Sequence, residues 1–123
     1  SWYDIHDVKG VRIERLSADF GPVELDALIR DTGAGTVVNC IGNTNVLVPY
    51  RELRMANVDL VSAIVEVCAD RGVRLVHLSS FVVAADVSAT QVTDPRTAPY
   101  PYAASKSMAE LVVAGSPDGL DFS

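Results

Sequence analysis

The sequence places Tyr102 four residues before Lys106, in Tyr102-Ala103-Ala104-Ser105-Lys106, downstream of a strand-like run that ends in Ser79-Ser80. Residues four apart lie on one face of a helix, so the phenol and the ammonium point the same way. An ammonium held near a phenol favours the phenolate and lowers a pKa that starts at about 10. That makes a tyrosine usable as an acid/base at neutral pH. A serine hydroxyl at the end of a neighbouring strand could polarise the same substrate oxygen. The arrangement suits proton transfer coupled to carbonyl or alcohol redox chemistry. The plainer reading of the pair is a solvated helical face with one aromatic packed inward. What speaks for chemistry is the order: strand, serine pair, loop, helix.

An alternation of strands and helices has to position these groups. Val11-Arg12-Ile13-Glu14-Arg15-Leu16 alternates as a half-buried strand does. Gly21-Pro22 opens a helix over 22–31, with proline in the first turn, and Thr32-Gly33-Ala34-Gly35 breaks it. Thr36 to Gly42 is a continuous apolar run, expected of a strand covered on both faces. From 50 to 71, Tyr50, Leu53, Asn57, Leu60, Val61, Ile64 and Cys68 mark a long helix that Gly72 ends. Residues 73–80 form the next strand, in which His77 alternates with core positions and reads as a satisfied or half-exposed residue. Residues 81–101 are loop-like, and a helix follows over 102–114. Residues 120–123 resemble the start of another strand, a further edge to the sheet. Strands separated by helices imply a parallel sheet, here with a three-strand core from 11–16, 36–42 and 73–80.

Composition narrows the partners. A chain of 123 residues with 49% hydrophobic content is one domain at most, long enough to bury a real core. The net charge of −6 and the lack of a basic cluster argue against nucleic acid or an anionic membrane as partner. No apolar run approaches bilayer-spanning length. Cys40 and Cys68 are isolated in apolar segments and read as buried small hydrophobes of a reducing, cytoplasmic compartment. His6 and His77 lack companions at ligand spacing, so no metal site is visible.

Five marks in order carry a family resemblance: Ser17-Ala18-Asp19-Phe20, Val37-Val38-Asn39-Cys40-Ile41-Gly42, Ala56-Asn57-Val58, Leu78-Ser79-Ser80 and Tyr102-Ala103-Ala104-Ser105-Lys106. On these the chain resembles the central part of an extended short-chain dehydrogenase/reductase. The stretch from Tyr50 to Val58 is similar to the thioester-reductase branch, whose members reductively release carrier-protein-bound acyl chains. The resemblance implies a three-layer Rossmann-like parallel sheet with helices on both faces. It also implies NADP or NAD as cofactor, with NADP slightly ahead, and a carbonyl, thioester or alcohol as the reacting group on a small-molecule or carrier-bound acyl substrate. Tyr102 would be the acid/base, Lys106 its partner and a ligand of the nicotinamide ribose, and Ser80 would orient the substrate oxygen. Asp19 and Phe20 would lie beside the adenine. Cys40, Ile41 and Gly42 would line the dinucleotide, and Asn57 would brace that strand or the cofactor. Bland readings stand beside these: Asp19 as a helix cap, Asn57 as a polar helix residue, Ser79-Ser80 as turn residues. The alternatives in function are a sugar epimerase or dehydratase and a non-catalytic dinucleotide-binding module. Relatives often pair through helices equivalent to 50–71 and 102–114, which implies a homodimer.

The resemblance leaves some parts unmatched. No glycine-rich turn follows a strand, and Ala84-Ala85 stands where relatives often carry Tyr-Gly. The 123 residues are therefore expected to be the central part of a single, larger Rossmann-like domain. Alone they should bind NAD(P) very weakly, because a pyrophosphate needs the amides of such a turn and helix N-terminus. Calorimetry with NADPH checks this; micromolar binding would require a different mode.

Overall fold

The computed structural model describes residues 10, 11, 13–17, 20–83 and 94–115. The elements run α1 (Pro22–Thr32), β1 (Thr36–Asn39), α2 (Tyr50–Arg54), a π turn (Met55–Asp59), α3 (Leu60–Arg71) and β2 (Arg74–His77). Two 3-10 turns (Phe81–Val83 and Pro95–Thr97) and α4 (Pro101–Ala114) complete them.

Local chemistry sets the helix ends. At α1, the Gly21 N–H donates to Glu24 Oε2 at 3.0 Å and Pro22 occupies the first turn, where no intrahelical N–H is needed. Gly33 closes the helix with φ 67°, a left-handed conformation that costs a side-chain-bearing residue more. Gly72 closes α3 in the same way at φ 63°, and the following Val73 N–H reaches back to the Cys68 carbonyl at 2.9 Å. Before α4, Asp94 accepts from the Arg96 N–H and pairs with its guanidinium at 2.7 Å, which holds the Asp94 carboxyl at about 2.

β1 and β2 pair in parallel, Thr36 opposite Arg74 through Asn39 opposite His77. The α2–α3 helix is the crossover between them, as parallel pairing requires. Val37, Asn39, Leu75 and His77 turn to the better-buried face, where Leu25 and Ile29 of α1, Val61, Ile64 and Cys68 of α3, and Ala109 and Val113 of α4 form the core. Thr36, Val38 and Arg74 stand exposed on the alternate face, so cover is deep on one side only among the described residues. The Arg71 guanidinium clamps α3 to α1 through both Asp26 oxygens, at 2.6 and 2.8 Å.

Several expectations need correction. The sheet among the described residues has two strands, not three, and the ladder covers 36–39 and 74–77 rather than 36–42 and 73–80. Residues 13–17 have no regular structure, and Val11, Ile13 and Leu16 are exposed. The physical reason is the ladder. Among the described residues the only ladder is the one β1 and β2 share, so 13–17 have no strand to bond with and stay irregular. Cys40 is exposed rather than buried, because it lies just past the end of the ladder; Cys68 is buried. The α1 and 50–71 helices lie where the periodicity puts them, the latter interrupted by the π turn, and α4 starts one residue early at Pro101. The proposed edge at 120–123 and the Ala84-Ala85 pair lie outside the described residues.

Leu75 is fully buried at 0% exposure. Leu75→Ala should lower unfolding free energy by about 2–5 kcal/mol in urea titrations, while Leu47→Ala in the loop should change it by less than about 0.5 kcal/mol.

Candidate functional site

Cys40, Ile41, Gly42 and Ser80, four of the predicted site residues, lie just beyond the ends of the two strands. Beyond Asn39 the chain leaves the sheet as Cys40-Ile41-Gly42-Asn43, and beyond His77 as Leu78-Ser79-Ser80. These are the carboxyl ends of parallel strands, where open α/β sheets bind ligands.

Lys106 is 6% exposed, and its Nζ donates to the Leu78 carbonyl at 3.2 Å. This bond ties α4 to the segment leading into Ser80. Burial pushes the Lys106 pKa down, while the Glu110 charge one turn on pulls it up. Tyr102 lies one turn earlier on α4 and is half-buried. Ser80 is also half-buried, and its Oγ accepts weakly from the Val82 N–H at 3.5 Å.

Asn57 braces the site more fully than its sequence suggests. It is 1% exposed; Oδ1 accepts from the Asn43 N–H at 2.6 Å, and Nδ2 donates to the Asn43 carbonyl at 2.9 Å. The same Nδ2 donates to Ser105 Oγ at 3.0 Å, and that hydroxyl donates to the Tyr102 carbonyl at 2.8 Å. One amide thus joins the loop after β1 to the first turn of α4. A Cβ on Gly42 would stand 3.3 Å from Asn57 Oδ1, so the loop and the π turn approach closely because residue 42 has no side chain.

Phe20 and Ile41 line one cleft of about 530 Å³, with Leu16, Met55, Ala56 and Leu60 as further walls. Its size and apolar walls fit a flat aromatic base, and Asp59 and Glu52 at the same cleft offer acceptors for polar edges. The residues present therefore fit the adenosine end of a dinucleotide. Asp19 lies outside the described residues, and Cys40 does not line this cleft.

Sequence reasoning missed Ser105, Asn43 and Asn39. Asn39 Nδ2 meets His77 Nδ1 at 3.2 Å, both buried, so His77 is an interior residue rather than a half-exposed one. The available signal was Asn39 itself, since asparagine is a poor strand former inside an apolar run. Among the described residues, no group of acids, histidines and cysteines could hold a metal, and no helix is long and apolar enough to cross a membrane. Asn57→Ala would leave the Asn43 amide and the Ser105 hydroxyl short of partners. It should destabilise the fold by about 1–3 kcal/mol, more than Ser105→Ala does, as chemical denaturation will show.

Comparisons with known proteins agree with this geometry. Residues 5–118 match the NAD dependent epimerase/dehydratase family. The chain is 64% identical over 121 residues to a protein of Mycobacterium marinum named isonitrile lipopeptide synthase. That match covers 98% of this chain and 8% of the relative, so the chain spans under a tenth of that protein's length. Among solved structures, MoeE5 in complex with UDP-glucuronic acid and NAD superposes with a TM-score of 0.59 at 26% identity, over 72% of this chain and 32% of that one. With its α/β fold, parallel strands and ordered site loops, the chain belongs to the NAD-dependent epimerase/dehydratase family of extended short-chain dehydrogenases.

Proposed function

We propose that the protein carrying this chain reduces a carrier-bound acyl or peptidyl thioester with NADPH or NADH, using Tyr102 as the proton donor. The observation that carries the chemistry is the buried Lys106, fixed to Leu78 one helical turn beyond Tyr102. The thioester is supported by the relative named a lipopeptide synthase, and by the similarity of residues 50–58 to thioester reductases.

When bound, the nicotinamide supplies a hydride to the substrate carbonyl carbon. This chain's residues do the rest. Phe20, Ile41 and the cleft wall bind the adenosine end, and Gly42 lets the loop lie close to the π turn. Ser80 Oγ donates to the substrate oxygen and orients it. Tyr102 delivers a proton to that oxygen, with Lys106 one turn on along α4. The proton then passes to sulfur as the C–S bond breaks. Hydride plus one proton thus convert R–CO–SR′ into R–CHO and HSR′. The carrier protein is the implied partner.

A second reading, an epimerase or dehydratase acting on a nucleotide sugar, is favoured by the UDP-glucuronic acid bound to MoeE5. At 26% identity against 64%, it ranks behind.

The test is turnover of an acyl-pantetheine thioester by the full-length protein, followed by loss of reduced-nicotinamide absorbance. Tyr102→Phe should reduce the rate by about 10²–10⁴-fold with dinucleotide affinity nearly unchanged, and Ser80→Ala should reduce it less. Near-normal turnover by Tyr102→Phe would refute the assignment. Conversion of a UDP-sugar in place of the thioester would select the second reading.

A further inference from the structure

We propose that Asn39 and His77 are positioning residues: a buried, proton-sensitive clamp that fixes the loop after β1 through the Ile41 N–H. The clamp's bearing on dinucleotide binding rests on the functional reading above; the clamp itself does not.

The geometry sets the direction of each hydrogen bond. Asn39 and His77 are 3% and 2% exposed and sit opposite each other at the last rung of the ladder. The Ile41 N–H donates to Asn39 Oδ1 at 3.1 Å, which orients the amide and leaves Nδ2 facing His77 Nδ1 at 3.2 Å. Because Nδ2 can only donate, Nδ1 must accept, so His77 is neutral with its proton on Nε2. That Nε2 is buried without a hydrogen-bond partner. An unpartnered interior donor makes imidazole a costly filler where a leucine would pack at no such cost. What the ring provides is the acceptor that orients Asn39.

Protonation would undo this arrangement. An Nδ1–H would confront the Asn39 NH₂, and turning the amide to meet it would present NH₂ to the Ile41 N–H instead. In either orientation one donor faces another, and the loop loses a tether. The charges acting on His77 come from α4: Lys106, which opposes protonation, and Glu110, which favours it. Across the ladder it meets the neutral Asn39. Of the residues α3 buries (Val61, Ile64, Val65, Val67 and Cys68), only the Cys68 thiol titrates, and burial pushes its pKa up. Burial first, then Lys106, holds His77 below the ordinary histidine value of 6.5. The neutral form is therefore the folded form. Its stabilisation is complete above 6.5 and is lost as pH falls toward the depressed value.

Hydrogen-exchange mass spectrometry on the full-length protein, corrected for intrinsic rates, tests the clamp between about pH 8 and about pH 5.5. Wild type should lose about tenfold protection in the peptide carrying the Ile41 amide as pH falls. His77→Gln retains an acceptor that does not titrate and should remove the acid loss. Asn39→Ala should be poorly protected at every pH. NADH and NADPH titrations at about pH 8 should show Asn39→Ala, which lacks the tether, binding about tenfold more weakly than wild type, with His77→Gln close to wild type. Protection independent of pH in wild type, or an unchanged acid loss in His77→Gln, would overturn the clamp even if one variant fails to fold. If the exchange pattern holds and no dinucleotide binds, the clamp stands and the functional reading falls.

Discussion

The loops that carry Ile41, Gly42 and Ser80 hang from one short piece of ladder. β1 and β2 share only the rungs from Thr36–Arg74 to Asn39–His77, and both chains leave the sheet at the same level. A parallel pair cannot be closed by a tight turn, and here a helix bridges it, running from beyond the carboxyl end of β1 back to the start of β2. Stopping two parallel strands together leaves two loops side by side at their carboxyl ends. Helix α4 then needs only to lay Lys106 against Leu78 to bring its polar face to both.

Side-chain amides hold these loops because the loop backbone has no ladder left to satisfy it. Asn39 takes the Ile41 N–H, and Asn57 takes both polar groups of Asn43. Farther out, Asn43 and Asn45 cap the N–H groups of Asn45 and Leu47 in successive turns. Asparagine suits this task because it offers a donor and an acceptor on a short, rigid stem. Buried amides with both ends engaged also fix where their neighbours stand, which a reaction needs more than it needs stability.

Much of this could be read from the sequence. The Tyr102–Lys106 spacing needs only helical geometry, and the α1 and 50–71 periodicities survive because their buried faces meet a real core. The 11–16 run misled because alternation reports what a strand would look like, not whether a partner is beside it. Cys40 misled for a related reason: an apolar run does not reveal where its ladder stops. The Asn39–His77 pair lies 38 positions apart, and only the register of β1 against β2 makes it visible. Ser105 stood inside the recognised motif as a filler position, and its bond to Asn57 depends on how α4 crosses the π turn.

The π turn itself answers a problem of phase. Leu53 in α2 and Val61, Ile64 and Cys68 in α3 must all point inward, while Asn57 between them must reach sideways to Asn43 and Ser105. An unbroken α-helix advances about 100° per residue, which leaves no freedom to choose those three directions separately. One widened turn shifts the rotation of everything before it relative to everything after it. The segment Met55–Asp59 thus acts as a splice between two helical registers, one set by the apolar core and one by the loop. A helix built this way is matched to two clients at once, and lengthening or shortening it by one residue would serve neither.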